Sequence, residues 1–159
     1  SQNLVQAFEN GNDAEARENV ALGSLMGAMS FANASLGAVH GLAHPIGGFF
    51  DIPHGVICAI LLPHVMEYNL LVRIPKYSQV AEAMGQNITP PESEKTARMA
   101  VEAVRDLLSR LRLPQHLQDL GVRQKDIAEI ARSARGSSLN NNPRPADSAS
   151  LQAILSAAL

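Results

Sequence analysis

Three of the five histidines, His40, His44 and His54, fall within residues 37–55, among small and apolar neighbours where a solvated surface would carry charges. Burying imidazoles without partners costs free energy, and a metal ion is one partner that neutral imidazole takes readily. His40 and His44 are four apart, so a helix would place them on one face, about 6 Å between Cβ atoms. The pair lacks the Glu of a zinc-protease H-E-x-x-H motif, and two hydrogen-bonded core histidines would satisfy the same spacing. His54 follows His40 by fourteen residues, about 21 Å along one straight helix. Pro45, Gly47, Gly48 and Pro53 lie between them, and a chain reversal there can bring His54 back to His40. Zinc–nitrogen bonds of about 2.0–2.1 Å require two ligands nearly to touch.

The other candidates carry less. His64, after Pro63, reads as structural, bonding a backbone carbonyl at the proline kink. His116, after Pro114, reads as a surface or capping residue. Cys58 is the single cysteine, so no internal disulfide exists, and its neighbours Ile57 and Ala59 suggest a buried, inert thiol in a reducing compartment.

The elements that must position these residues read as helices. Residues 1–11 give a short helix end and a turn at Asn10-Gly11. Asn12 and Glu15 have capping-box spacing, opening a helix to about Ala34. Leu22, Leu25, Met26 and Met29 form its apolar stripe, with small Gly23, Gly27, Ser30 and Ala34 beside it for close helix contact. A second helix is expected from Leu36 to His44, ended by Pro45, Gly47 and Gly48. A third begins near Pro53, is apolar on nearly all sides, and reads as the buried centre of the domain. Beyond it, Lys76–Met84 reads as a helix stopped at Gly85, Asn87–Pro91 as a loop, and Ser93–Arg112 as a long helix with Met99, Val101, Val104, Leu107, Leu108 and Leu111 inward. Pro114 breaks it. Gln115–Val122 follows as a turn, Gln124–Ala134 as a helix, residues 136–147 as a polar loop and Ser148–Ala158 as a final helix. No strand, hairpin or repeat emerges, so the class is all-α.

Composition agrees. The 159 residues suit one domain. The apolar share of 46% with only 4% aromatics and no Trp favours close-packed helices. A net charge of -2 without a Lys/Arg block excludes a polyanion-binding surface, so no nucleic-acid partner is expected. No signal peptide is visible, and the longest apolar run, Val56 to Pro63, is too short for a bilayer. No membrane partner and a cytoplasmic location are the expectations. The chain begins at Ser1 rather than Met, which suggests that something upstream was removed.

The pattern G-x-x-H-x-x-A-H-x-x-G-x-x-x-x-x-P-H-G, met at Gly37, His40, Ala43, His44, Gly47, Pro53, His54 and Gly55, resembles the histidine signature of the iron-containing (group III) alcohol dehydrogenases. Ala59, Leu62, Pro63, His64 and Asn142-Pro143-Arg144 fit as well. The likeness covers nearly the whole chain, nearest in flavour to the lactaldehyde reductase, propanediol dehydrogenase and ethanol dehydrogenase branches. The Pro-His-Gly triplet argues against maleylacetate reductases.

That resemblance implies the C-terminal helical domain, dehydroquinate synthase-like, of a two-domain oxidoreductase. The N-terminal α/β domain that binds NAD(P) has no counterpart among residues 1–159. Of the family's four metal ligands, the two later histidines map onto His40 and His54. An Asp and a His from an earlier helix have no counterpart, since Asp13 is followed by Arg17 where the pair would need His. His44 maps beside the nicotinamide, as a catalytic and cofactor-binding residue. Phe31 maps onto the substrate channel, and Ser138 stands where one branch has a pocket Cys. The implied chemistry is reversible hydride transfer between an alcohol or aldehyde and NAD(P), with Fe(II) or Zn polarising the substrate oxygen. With no G-x-G-x-x-G, the isolated chain is expected to be inactive and to bind neither NAD nor metal tightly. The alternative is a non-catalytic helical interaction module derived from the family. Apolar surface near Phe31, Phe49 and Phe50 predicts a homo-oligomer, most simply a dimer.

Overall fold

The computed structural model describes residues 1–89 and 92–159. Among the described residues there are helices and turns and no strand. The chain forms two compact units, Ser1–Ser35 and Leu36–Leu159.

In the first unit, α1 (Leu4–Glu9) packs on α2 (Ala14–Ala34). The cap of α2 is Asp13, one residue later than the Asn12 expected from sequence, with its carboxylate accepting from the Ala16 N–H at 2.9 Å. Gln6 donates to the same carboxylate. These bonds, the Ala16 N–H foremost, lower the Asp13 pKa. A carboxylate also sits well at the positive end of a helix.

The apolar stripe of α2 does not face a core. Leu22, Leu25, Met26 and Met29 are each more than half exposed. The small residues beside it make no close contact either, because a Cβ added at Gly23 or Gly27 would meet nothing within 4 Å. Periodicity marks which face of a helix is apolar and leaves open what covers it.

The second unit is organised around α4 (His54–Asn69). Its first three turns join α3 (Ala38–Phe50), α7 (Ile127–Ser133) and α9 (Ser148–Ala157) in one core containing Leu42, Ile46, Ile57, Leu61, Ile130 and Leu155. Its last turn joins α5 (Ile74–Ala83) and α6 (Glu94–Arg110) in a second core around Leu70, Ala97, Val101 and Val104. By length and composition, His54–Val72 could cross a bilayer, further than the run Val56–Pro63 suggests, but half of it is buried among other helices. A core helix serving two clusters needs that all-round apolar surface. The helix α6 opens on a capping box, with the Ser93 hydroxyl accepting from the Thr96 N–H and Thr96 Oγ1 accepting from the Ser93 N–H. The loop expected over 87–91 falls partly on Pro90 and Pro91, outside the described residues.

Two further departures from the sequence reading bear on the second unit. The stretch 136–147 is not wholly loop: it holds a single helical turn, α8 (Ser137–Asn140). More consequentially, α3 continues through Pro45, Gly47 and Gly48 to Phe50. An interior proline costs about 3 kcal/mol. Against it stands the burial of Leu42 and Ile46, both fully enclosed, each contributing roughly 1.5–3 kcal/mol. Asp51 ends the helix in the left-handed region (φ 52, ψ 39), with its N–H on the Gly47 carbonyl at 3.1 Å. Pro53 then precedes α4, so the reversal occupies only Asp51, Ile52 and Pro53.

Candidate metal centre

The first turns of α3 and α4 meet through their polar side chains. His40 lies on the opening turn of α3 and His44 one turn further on. His54 is the first residue of α4 and Cys58 lies one turn later. Across the interface His40 Nδ1 is 3.0 Å from His54 Nε2. The two rings are 5.1 Å apart between centroids, and His44 stacks on His54 at 5.3 Å with 26° between planes. The three histidines singled out from sequence therefore form one cluster, with both pattern-matched ligands in direct contact.

Burial differs across the cluster. His40 is half-buried, while His44 and His54 are exposed. Desolvation lowers the His40 pKa, and the neighbouring His54 and His44 lower it further. His40 is thus held as neutral imidazole, the form that donates a lone pair to a metal.

Cys58 departs from its sequence reading as an inert core thiol. It is half-buried, and its Sγ lies 3.3 Å from His54 Nε2 and 3.9 Å from His40 Nδ1. Burial raises the thiol pKa, so without a cation nearby it stays protonated. The signal that finds it is spacing: His54 and Cys58 are four apart on one helix and share a face.

The remaining candidates lie elsewhere. His64 is half-buried, with its pKa lowered by desolvation, then by Arg105 and His116. Among the described residues it makes no bond to a backbone carbonyl. His116 is exposed and precedes a short 3-10 turn without capping it through its side chain, so the surface reading stands and the capping one does not. Phe31 lies on α2, half exposed. Phe49 is exposed, but Phe50 packs against the core and adds little open apolar surface. Ser138 lies half-buried in α8.

Sequence reasoning names Asn142 and Arg144 only as fitting a family pattern, and misses Asn69 and the anchoring of α3. Asn142 is 6% exposed, and its Oδ1 accepts from the Ala38 N–H at 3.2 Å and from Asn69 Nδ2 at 3.0 Å. Its Nδ2 donates to Asn69 Oδ1 at 2.8 Å and to the Arg144 carbonyl at 2.7 Å. The amide pair ties the 141–145 loop, the end of α4 and the first turn of α3 together, two residues before His40. The loop is held further by Arg144 stacked 4.3 Å over the Tyr68 ring and by the Tyr68 hydroxyl on the Pro145 carbonyl.

Comparison with known proteins places this arrangement. The chain is 43% identical to the 1,3-propanediol dehydrogenase of Klebsiella pneumoniae over 155 residues, covering 97% of this chain and 40% of that protein. It is 44% identical to the lactaldehyde reductase of Escherichia coli K12 over 135 residues, covering 84% of this chain and 35% of that one. A crystal structure of a 1,3-propanediol oxidoreductase superposes with a TM-score of 0.97 at 42% identity, covering 99% of this chain and 42% of the other. An alcohol dehydrogenase from Oenococcus oeni superposes with a TM-score of 0.96 at 31% identity, again over 99% of this chain and 42% of the other. The chain thus spans about 40% of the length of these relatives. Residues 1–159 match in full the family described as Fe-containing alcohol dehydrogenase family, C-terminal, and the chain belongs to that family.

Proposed function

We propose that this chain is the metal-binding helical half of an NAD(P)-dependent oxidoreductase that interconverts small primary alcohols and aldehydes. The observation that carries this reading is the 3.0 Å approach of His40 Nδ1 to His54 Nε2 across the α3–α4 turn. Two imidazole nitrogens that converge without an intervening residue form a pair that would hold a divalent cation. The donor set suits the group: imidazole takes Fe(II) and Zn alike, and burial keeps His40 in the ligating form.

When bound, the metal polarises the substrate oxygen and the nicotinamide accepts or returns hydride. The chain's own residues do the rest. His40 and His54 would hold the metal. His54 is oriented by His44, whose ring lies over it at 5.3 Å. His44 is exposed beside the pair, so its ring nitrogens are free to meet the nicotinamide end of the cofactor and to take or give the hydroxyl proton. The names of the relatives, propanediol dehydrogenase and lactaldehyde reductase, point to a short polar alcohol or its aldehyde as substrate.

The test uses the two-domain protein that this reading requires. His40→Ala and His54→Ala should each remove bound metal and turnover together. His44→Ala should keep the metal and lose turnover. Metal retained after either of the first two substitutions would overturn the ligand assignment.

One observation favours a second reading, a non-catalytic interaction module. The exposed Leu22, Leu25, Met26 and Met29 of α2 form an apolar face of the kind a partner covers. Light scattering of this chain over a range of concentrations should show a homodimer. Leu25→Ser with Met29→Ser should return it to monomer, and a strict monomer without substitution would refute the association.

A further inference from the structure

We propose that Asn10 is a site of spontaneous covalent modification: in the folded chain its carboxamide closes onto the Gly11 nitrogen, loses ammonia and opens in water to aspartate and isoaspartate. The site lies in the turn between α1 and α2 and is independent of the histidine cluster.

The first observation is the nucleophile. Asn10-Gly11 is the one place in the chain where glycine follows asparagine, and glycine has no side chain to shield its nitrogen. Both residues are exposed. Among the described residues no acceptor takes the Gly11 N–H. Its neighbours are engaged, the Asn10 N–H with the Gln6 carbonyl at 2.9 Å and the Asn12 N–H with Asn10 Oδ1 at 3.2 Å.

The second is the electrophile. The bond from the Asn12 N–H falls on Asn10 Oδ1, the oxygen that gains negative charge when a nucleophile adds to Cγ. It also folds the carboxamide back over the Gly11 peptide, as Asn does in many turns.

The third is the freedom of the turn. Ring closure requires rotation about the Asn10 Cα–C bond, at ψ 90 in the folded turn. That rotation releases the Asp13 N–H from the Asn10 carbonyl, a bond of 3.1 Å. Gly11 adds no resistance. Its φ lies outside the left-handed region, and a Cβ there would meet nothing within 4 Å. The other asparagines are less free. Asn19 and Asn33 lie within α2. Asn69 and Asn142 are buried against each other, and Asn142 precedes a proline, which has no N–H.

The step balances without a change of oxidation state. Hydroxide takes the Gly11 N–H proton, the nitrogen bonds to Asn10 Cγ, the Cγ–Nδ2 bond breaks, and ammonia leaves with a proton from solvent. Water then opens the succinimide. Addition at Cγ gives aspartate, and addition at the main-chain carbonyl gives isoaspartate.

Either product loosens the joint between the helices. Asn10 caps the C-terminus of α1, where a negative charge opposes the helix dipole, and the Asp13 carboxylate stands three residues on. Isoaspartate also adds a methylene to the main chain, so the turn closed by the Asp13 N–H loses its register.

The full chain, checked for native helical circular dichroism, is incubated in mildly alkaline buffer and followed by mass spectrometry of the tryptic peptide ending at Arg17. The mass increase of an amide-to-acid exchange should appear at Asn10 before any other asparagine, with isoaspartate identified by fragmentation and a rate that rises in proportion to hydroxide. Gly11→Ala should lose that increase over the interval in which the native sequence is largely converted, with its circular dichroism unchanged. In the converted chain the Asp13 N–H should lose protection from deuterium exchange. A folded chain whose Asn10 stays intact while the free peptide of residues 1–17 converts would overturn the proposal, because the turn then protects the site. Equal rates in Gly11→Ala and the native sequence would overturn the Gly11 nitrogen as nucleophile. Unchanged protection at Asp13 after conversion would overturn the loosening of the joint.

Discussion

Asn142→Ala tests whether the first turn of α3 is held by a side chain 104 residues away. Asn142 makes four hydrogen bonds, accepting from the Ala38 N–H and Asn69 Nδ2 and donating to Asn69 Oδ1 and the Arg144 carbonyl. Truncation leaves two buried donors, the Ala38 N–H and Asn69 Nδ2, without these partners. Asn69 Oδ1 keeps the Arg144 N–H at 3.3 Å. An unpaired buried donor costs about 1–3 kcal/mol, so the loss should be about 3 kcal/mol, with water entry limiting it. In a domain of this size that lowers Tm by roughly 6–12 °C. Urea unfolding followed by circular dichroism would measure it.

Asn142→Asp sharpens the test. It keeps the volume and both accepted bonds, but sets a carboxylate oxygen against Asn69 Oδ1 and the Arg144 carbonyl. At neutral pH it should be at least as destabilising as Ala. Its folded-state pKa is raised by burial and by the two opposed acceptors, so the folded form binds the proton more tightly than the unfolded one. Stability of this variant should therefore recover relative to the native chain as pH falls, and be lost as pH rises through the raised pKa. A double-mutant cycle with Asn69→Ala should give a coupling of about 1 kcal/mol or more. A loss below about 1 kcal/mol for Asn142→Ala, or a neutral Asn142→Asp at pH 7, would refute the reasoning.

Gly41→Ala should destabilise by about 1–3 kcal/mol, because its Cβ would meet Leu139 Cδ2 at 2.6 Å and Cγ at 2.8 Å; Leu139→Ala in the same chain should recover part of that loss in a urea titration. Ser93→Ala removes the acceptor for the Thr96 N–H and should cost about 1 kcal/mol, while Ser93→Asp should be close to neutral. His64 has a folded pKa lowered by burial below the ordinary value of 6.5. Its two states match above that value, and as pH falls through it the unfolded chain takes the proton first, so stability declines until the folded pKa is passed. His64→Gln should flatten the corresponding part of the stability–pH curve, and identical slopes with and without His64 would show that the ring is hydrated in the folded state.

How much of this molecule its sequence reveals depends on what each signal measures. The helix α6 is legible because Ser93 caps it and its apolar residues recur on one face, leaving little to tertiary context. The central place of α4 is legible because no single face of it is polar. The stripe on α2 is visible too, but a stripe says nothing about its cover, and Leu22, Leu25, Met26 and Met29 prove exposed. The end of α3 is illegible because Pro45, Gly47 and Gly48 carry local costs that enclosed Leu42 and Ile46 outweigh, while the true stop is Asp51, a non-glycine residue at positive φ. That difference bears on the site. From Phe50 back to His40 is about 15 Å along a straight helix. Residues 51–53, turned at Asp51 in the left-handed region, carry the chain back over part of that distance, and two imidazole side chains span the remainder. A helix ended at His44 would leave a long flexible reversal, with His54 free to approach His40 or not. A helix carried to Phe50 and turned sharply by Asp51 and Pro53 leaves the first residue of α4 one position, and in that position His54 Nε2 meets His40 Nδ1. Cys58 was hidden for a different reason. Its neighbours in sequence are apolar, but its neighbour on the helix, four residues back, is His54, and chemistry follows the helix face rather than the chain.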